Sequence, residues 1–383
     1  MLRTRQLVAL LVLVTGCRRT PEAKVLRTTD GAITVNNLDS QIESWEHILK
    51  DLRPGSVQAM AGLVDLYQTR AQYFGKLGGY ARAAELAELA VRTAPRSPEA
   101  RLARAGNRAA LHRFSDALND LSEAEKLGAS PREVRSLRAS ILQAQGKLQE
   151  ALSLRQAAVS EYANVFTLGA LAAAETDSAS AERHFAQAVS VYRDTSPLPL
   201  AWIDFQRGLA AERTGQFEAA AQRYLAAAER LPQYAAAQGH LAGMRALLGD
   251  KAAAQALLRP LLASTDDPEY PGQLSALTGD AALRAQASAR YDELLATYPQ
   301  AFADHAARFY LAIDPARALR LAQLNLQQRQ TLEAYDLALS AAGLAGDEQA
   351  GCALAHQADF PGSRRIELLS ARACPAAASR AQR

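Results

Sequence analysis

Cysteine is scarce in this chain, with three residues at positions 17, 352 and 374 among 383. So few thiols exclude a disulfide-stapled miniature scaffold, and no CxxC pair exists for a zinc ribbon or a dithiol redox site. The six histidines form no HExxH arrangement, which removes the usual helical zinc motif. Aromatic residues make up 6% of the chain, unfavourable for a groove that grips oligosaccharides. Charge of one sign is lacking as well: 43 Lys and Arg stand against 40 Asp and Glu. That balance leaves no basic footprint for nucleic acid. There is no glycine-rich phosphate loop, and no nucleophile can be paired with the adjacent Asp304 and His305, so the motifs call for neither catalysis nor a cofactor.

What the chain has in quantity is small and aliphatic. Its hydrophobic content of 49% is supplied mainly by Ala and Leu, a composition that favours helices able to approach one another closely. The length suffices for two ordinary domains or one repeat array.

The first residues have a different character. Arg3 and Arg5 precede the apolar run Leu7 to Val14, which is followed by small Thr15 and Gly16 and then by Cys17. The run is too short to span a bilayer and reads as a signal peptide over 1–16. Val14-Thr15-Gly16-Cys17 resembles the lipobox of bacterial lipoproteins, which implies that Cys17 becomes the lipidated first residue of the mature chain. The remaining readings are an uncleaved anchor or an ordinary signal beside an incidental cysteine. Lipidation of this kind supplies enough acyl chains for permanent anchoring. Arg18 rather than Asp follows the cysteine, so the resemblance implies the periplasmic side of the outer membrane; in a host with one membrane it implies the outer leaflet of the plasma membrane. Export to an oxidising compartment makes Cys352 and Cys374 candidates for a disulfide between the last helices, the alternative being two unrelated thiols.

Residues 201–234 read AWIDFQRGLAAERTGQFEAAAQRYLAAAERLPQY. Gly208 lies within a first helical pattern and Gly215 breaks it. Phe217, Ala220, Tyr224 and Ala227 then line one face of a second helix ending at Pro232. Gly208 and Ala220 predict close approach of the two helices, with Phe217 and Tyr224 filling the space beside them. The same register recurs over 64–97, 98–131, 132–165, 162–195, 235–268 and 269–301. This unit resembles a tetratricopeptide repeat, and with the lipobox the chain resembles the bacterial tetratricopeptide-repeat lipoprotein family. The resemblance implies an all-α, right-handed α-solenoid of stacked helical hairpins, because such a hairpin cannot bury its apolar face alone.

The expected organisation is a signal peptide at 1–16, the lipidated cysteine and a tether at 17–39, a capping helix and repeat array at 40–301, degenerate helical repeats at 302–375, and a disordered tail at 376–383. Ser40 to Glu43 fits a capping box for the first helix, and Trp45 belongs to its apolar stripe. Asp314-Pro315 is a helix start, and 364–373 forms a last helix.

In this family the first helices line a concave face that holds a protein or peptide client. The resemblance places Trp202, Phe205, Leu209, Glu212 and Arg213 there, with Gln68 and Gln72 from the first repeat and Gln143 from the third. Trp202 and Phe205 have packing against the preceding hairpin as their competing role. The expected function is a non-catalytic, membrane-anchored adaptor in an envelope assembly for outer-membrane biogenesis, secretion, pilus formation or polysaccharide export. The alternatives are an activator of a cell-wall synthase or hydrolase and an enzyme built on Asp304 and His305. The oligomeric state is left open.

Overall fold

The structure, a computed structural model, describes residues 28–52, 55–360 and 363–374; Cys17 and the 376–383 tail lie outside the described residues. Asp30 opens α1 (Gly31–His47), its carboxylate accepting from the Ala32 N–H at 2.8 Å. The helix therefore begins inside the stretch expected as tether, and not at Ser40. The reason is tertiary: the Thr29 N–H donates to the Thr195 carbonyl at 2.7 Å, and a side chain at Gly31 would meet Pro232 Cδ at 2.6 Å. A π-helical turn, Ile48–Leu52, follows α1, and Trp45 packs over Gly62.

From there the described helices pair into nine hairpins: α2 (Val57–Phe74) with α3 (Gly78–Thr93), α4 (Pro98–Ala110) with α5 (Phe114–Lys126), α6 (Pro131–Ala144) with α7 (Leu148–Glu161), α8 (Val165–Ala174) with α9 (Ser178–Val191), α10 (Leu198–Arg213) with α11 (Phe217–Arg230), α12 (Ala235–Leu247) with α13 (Lys251–Ser264), α14 (Glu269–Thr278) with α15 (Ala281–Thr297), α16 (Pro299–Tyr310) with α17 (Pro315–Leu326), and α18 (Leu332–Ala345) with α19 (Glu348–Gln357). The last helix, α20 (Arg364–Ala373), packs on α18 and α19. This is an all-α solenoid of tetratricopeptide-like hairpins.

Local sequence sets the boundaries. Ser97, Asp177, Asp250, Asp280, Asp314 and Asp347 each cap the following helix through a side-chain oxygen, satisfying N–H groups that lack an intrahelical partner. Pro98, Pro131, Pro299 and Pro315 fill first-turn positions, where a missing N–H costs nothing.

The alanine-rich composition has its explanation in the second helices. Ala83 and Ala90, Ala117 and Ala124, and Ala220 and Ala227 are wholly buried, each pair two helical turns apart on the face that meets the first helix. At Gly208 an added Cβ would lie 2.4 Å from the Tyr224 ring, so that glycine is what admits the fully buried tyrosine. Phe217, expected beside it, is instead 36% exposed, because it is the first residue of α11 and sits at the hairpin's rim.

The solenoid closes on itself. In the first hairpin the α2–α3 loop meets the loop between α13 and α14: the Asp266 N–H donates to the Gly75 carbonyl, and the Asp266 carboxylate accepts from the Leu77 and Gly78 N–H groups at 2.5 and 2.9 Å. One hairpin further on, His112 Nδ1 lies 3.0 Å from the Gln300 carbonyl at the α15–α16 junction. A hairpin after that, the Gln330 N–H donates to the Gln145 carbonyl, joining the α6–α7 and α17–α18 loops. The offset between partners is constant, so the edge of one superhelical turn rests in register on the next. Behind this edge α2 also packs against α12, with the Tyr73 and Tyr234 rings 4.8 Å apart.

Candidate functional site

The inner surface is formed by the first helices of the hairpins; where α2 meets α10 and α12 it is packed core, and its polar remainder forms the lumen. Asp65 on α2 is exposed there, and the surrounding protein raises its carboxyl above the ordinary range, with Glu133 on α6 adding to the effect.

One row of titratable side chains runs along this surface. Glu212 on α10 lies 3.1 Å from His240 on α12 and accepts the Tyr224 hydroxyl at 2.5 Å. Burial pushes the Glu212 carboxyl up, but His240 and Tyr224 outweigh it and hold the group below its usual value. Glu269 on α14 lies 3.3 Å from His305 on α16. The neighbouring Asp304 charge, opposed by burial and assisted by Glu269, raises His305 to about 9. Asp304 itself accepts from Arg329 at 2.9 Å. Its carboxyl is raised by burial, but the charges of His305 and Arg329 bring it down to about 2. Asp267 is raised by burial and by the Glu269 charge. Acid and imidazole thus alternate across four consecutive first helices.

The residues expected on the docking face divide into two groups. Gln72 and Arg213 are exposed, and Gln68, Leu209 and Glu212 are half-buried. The Gln68 Nε2 is buried without a hydrogen-bond partner among the described residues. Gln143 donates from Nε2 to the Ala173 carbonyl at the end of α8. Phe205 is buried, in contact with Tyr224, Tyr234 and His240. Trp202 lies over Gly169 of the preceding first helix, where an added Cβ would meet its ring at 2.8 Å. The same packing recurs for Tyr270 over Gly239 and Phe309 over Gly272. A glycine followed one repeat later by an aromatic was therefore the sequence signal that identifies packing aromatics.

Asp304 and His305, the pair considered for acid–base chemistry, are engaged with Arg329 and Glu269, and among the described residues neither hydrogen-bonds to a serine, threonine or cysteine side chain. Outside the lumen, Cys352 and Cys374 form a disulfide with a Cα separation of 4.5 Å. His356 stands beside it, its Nε2 3.9 Å from Cys374 Sγ. Two features had no counterpart in the sequence reading. The first is the buried Asp120, which accepts from Arg101, Arg104 and Arg108. The second is a pocket between α6, α7 and α8 that contains Arg155.

No protein-family model and no curated protein matches the chain. Among solved structures, a tetratricopeptide repeat protein from Parabacteroides merdae is similar over 70% of this chain and 99% of its own, at 13% identity and a TM-score of 0.39. Yeast Tom70 is similar over 92% of this chain and 94% of its own, at 14% identity and 0.36. The human IFIT1 dimer with PPP-AAAA is similar over 84% of this chain and 68% of its own, at 16% identity and 0.38. At these values the likeness extends no further than stacked helical hairpins.

Proposed function

We propose that this chain is a lipid-anchored, non-catalytic adaptor that holds a segment of a partner protein along its lumen within an envelope assembly. The observation that carries the reading is the row Glu212, His240, Glu269 and His305, contributed one per repeat by consecutive first helices. Acid and imidazole are paired within the row, which leaves Glu212 Oε1 and the Nε2 atoms of His240 and His305 to meet the backbone of an extended polypeptide. The signal and lipobox motif support membrane attachment on the outer-membrane side. Confinement there raises the effective concentration of a partner anchored in the same membrane.

In-cell photocrosslinking tests this, with probes at Gln72 and His305 in the lumen and at exposed Glu229 on α11. Repeated capture of one protein by the lumen probes is expected, and its identity selects the assembly. Capture by Glu229 alone would overturn lumen docking, and silence at all three sites in the membrane fraction would overturn the adaptor role.

A further inference from the structure

Arg155 is set apart from the other arginines of the interior. Among the described residues five arginines have a buried Nε with no hydrogen-bond partner: Arg70, Arg101, Arg108, Arg155 and Arg329. Four of them hold a carboxylate through another nitrogen. Arg155 is 8% exposed, yet among the described residues no carboxylate lies within salt-bridge distance; its one side-chain partner is the Ser140 hydroxyl, at 2.8 Å. Burial alone lowers its pKa from the usual guanidinium value, with no acidic neighbour offsetting the loss of water. A buried, unpaired charge destabilises a fold.

The side chain lines a pocket of about 340 Å³, the size of small-ligand sites. Arg132 and Arg135 lie on the same wall, but both are committed to Glu161 at 2.6 Å. With Glu133 the lining holds three arginines and two glutamates, leaving a single positive charge. Two aromatic side chains stand at the rim with unusually large exposure, Tyr162 at 56% and Phe166 at 63%. Asn164 and Thr167 between them are spent on the capping box of α8. Arg155 is therefore the guanidinium of the lining without a carboxylate; Phe166 offers an open ring, and Tyr162 carries Arg132 over its ring at 5.5 Å.

We propose that this pocket binds a compact monocarboxylate with an aromatic or apolar body, Arg155 serving as its counter-ion and Tyr162 and Phe166 as its flanks. Planar guanidinium and carboxylate match in a two-bond pair, and one negative charge balances the lining. The site shares no residue with the Glu–His row.

Calorimetric titration of the full mature chain with 3-phenylpropionate and with its neutral amide tests the proposal, together with the variants Arg155→Met and Phe166→Ser. The acid is expected to bind at least about tenfold more tightly than the amide. Arg155→Met should abolish that preference while raising the melting temperature of the unliganded protein, because an unpaired buried charge has been removed. Phe166→Ser should weaken acid and amide alike. Arg155→Lys, which keeps the charge and loses the fork, should retain a reduced preference and serves if the Met variant does not fold. Equal affinity for acid and amide, a preference that survives in folded Arg155→Met, or no binding up to roughly 10 mM would overturn the assignment. So would a lowered melting temperature in Arg155→Met, which would make Arg155 a structural residue, or tighter binding of the dianion phenyl phosphate.

Discussion

Removing the Asp266 carboxylate should loosen a helix that begins far away in sequence. α3 has no side-chain cap of its own, and its first N–H groups, from Leu77 and Gly78, are taken by Asp266 of the next superhelical turn. Losing a cap costs about 1 kcal/mol, and losing a negative charge at a helix N-terminus about 0.5 kcal/mol more. The Arg290 partner at 3.3 Å adds little, because the Asp266 side chain is 41% exposed. The sum is about 1.5 kcal/mol, or roughly a tenfold increase in local opening. Global melting does not report the opening of one helix end in a repeat array, so hydrogen exchange is the appropriate assay for this variant.

In Asp266→Ala, the amides around Leu77 to Tyr80 should exchange about tenfold faster than in the parent. Asp280→Ala supplies the control, since Asp280 caps its own helix through the Ala282 and Leu283 N–H groups. It should speed exchange at the start of α15 and leave α3 untouched. Unchanged exchange at the start of α3 in Asp266→Ala, or equal acceleration there by both variants, would refute a cap supplied across turns.

Gly146 and Gly249 share a left-handed backbone, at φ 85° and 89°, but a Cβ at Gly146 would meet the Gln330 carbonyl at 2.3 Å, whereas one at Gly249 meets open space. Gly249→Ala should cost about 1 kcal/mol, and Gly146→Ala should cost clearly more and expose the Gln330 amide to exchange; equal melting temperatures would count against the stacked turns. Asp120→Ala should destabilise by about 3–5 kcal/mol, since the Asp120 side chain is 3% exposed and its loss leaves Arg104 and Arg108 without that partner. Denaturant unfolding checks this against Asp116→Ala, whose exposed pair with Arg113 is worth under about 1 kcal/mol; similar losses would refute it. By nuclear magnetic resonance, the His305 imidazole should titrate near 9 and that of His112 near 4, the latter lowered by burial and by the Arg329 charge. With a free value of about 6.5, the His305 contribution to stability is complete below that pH and lost as pH rises through about 9, whereas that of His112 is complete above it and lost as pH falls toward about 4; His305→Asn should flatten the alkaline limb and His112→Asn the acid limb.

The hairpins were legible because their determinants are local. Gly208, Ala220, Tyr224 and Ala227 announce a close-packed pair through spacing alone, and the structure buries all four. The start of α1 was not legible, since Ser40 to Glu43 is a sound capping box and only contacts with Thr195 and Pro232 carry the helix back to Gly31. Aromatics were the weakest signal. Trp202 and Phe205 have the residue type of binding anchors, but what surrounds each depends on a glycine or a tyrosine contributed by another hairpin. Arg155 was invisible for the converse reason: an arginine on a polar helix face looks solvated until the neighbouring helices enclose it.

Closure also bears on how the lumen can be occupied. Among the described residues, the hydrogen bonds of the three loop contacts between turns join backbone groups of Gly75, Leu77, Gly78, Gln145, Asp266, Gln300 and Gln330 with the side chains of Asp266 and His112, and Leu77 and Leu111 pack on Leu294 and Phe302 between the same turns. His112 adopts φ 55°, a region rare for anything but glycine, at the loop position that Gly146, Gly215 and Gly249 occupy in other hairpins. A glycine there would relieve the backbone and forfeit the contact with Gln300, so the imidazole offsets its own strain by tying the turns together. With the turns joined along one edge, a partner segment enters the lumen through an end, or through a gap opened by breaking these contacts. The first route predicts slow exchange at the Leu77, Gly78 and Gln330 amides in the free and the bound protein alike. The second predicts that Asp266→Ala binds its partner faster than the parent chain does, with the gain confined to the association rate.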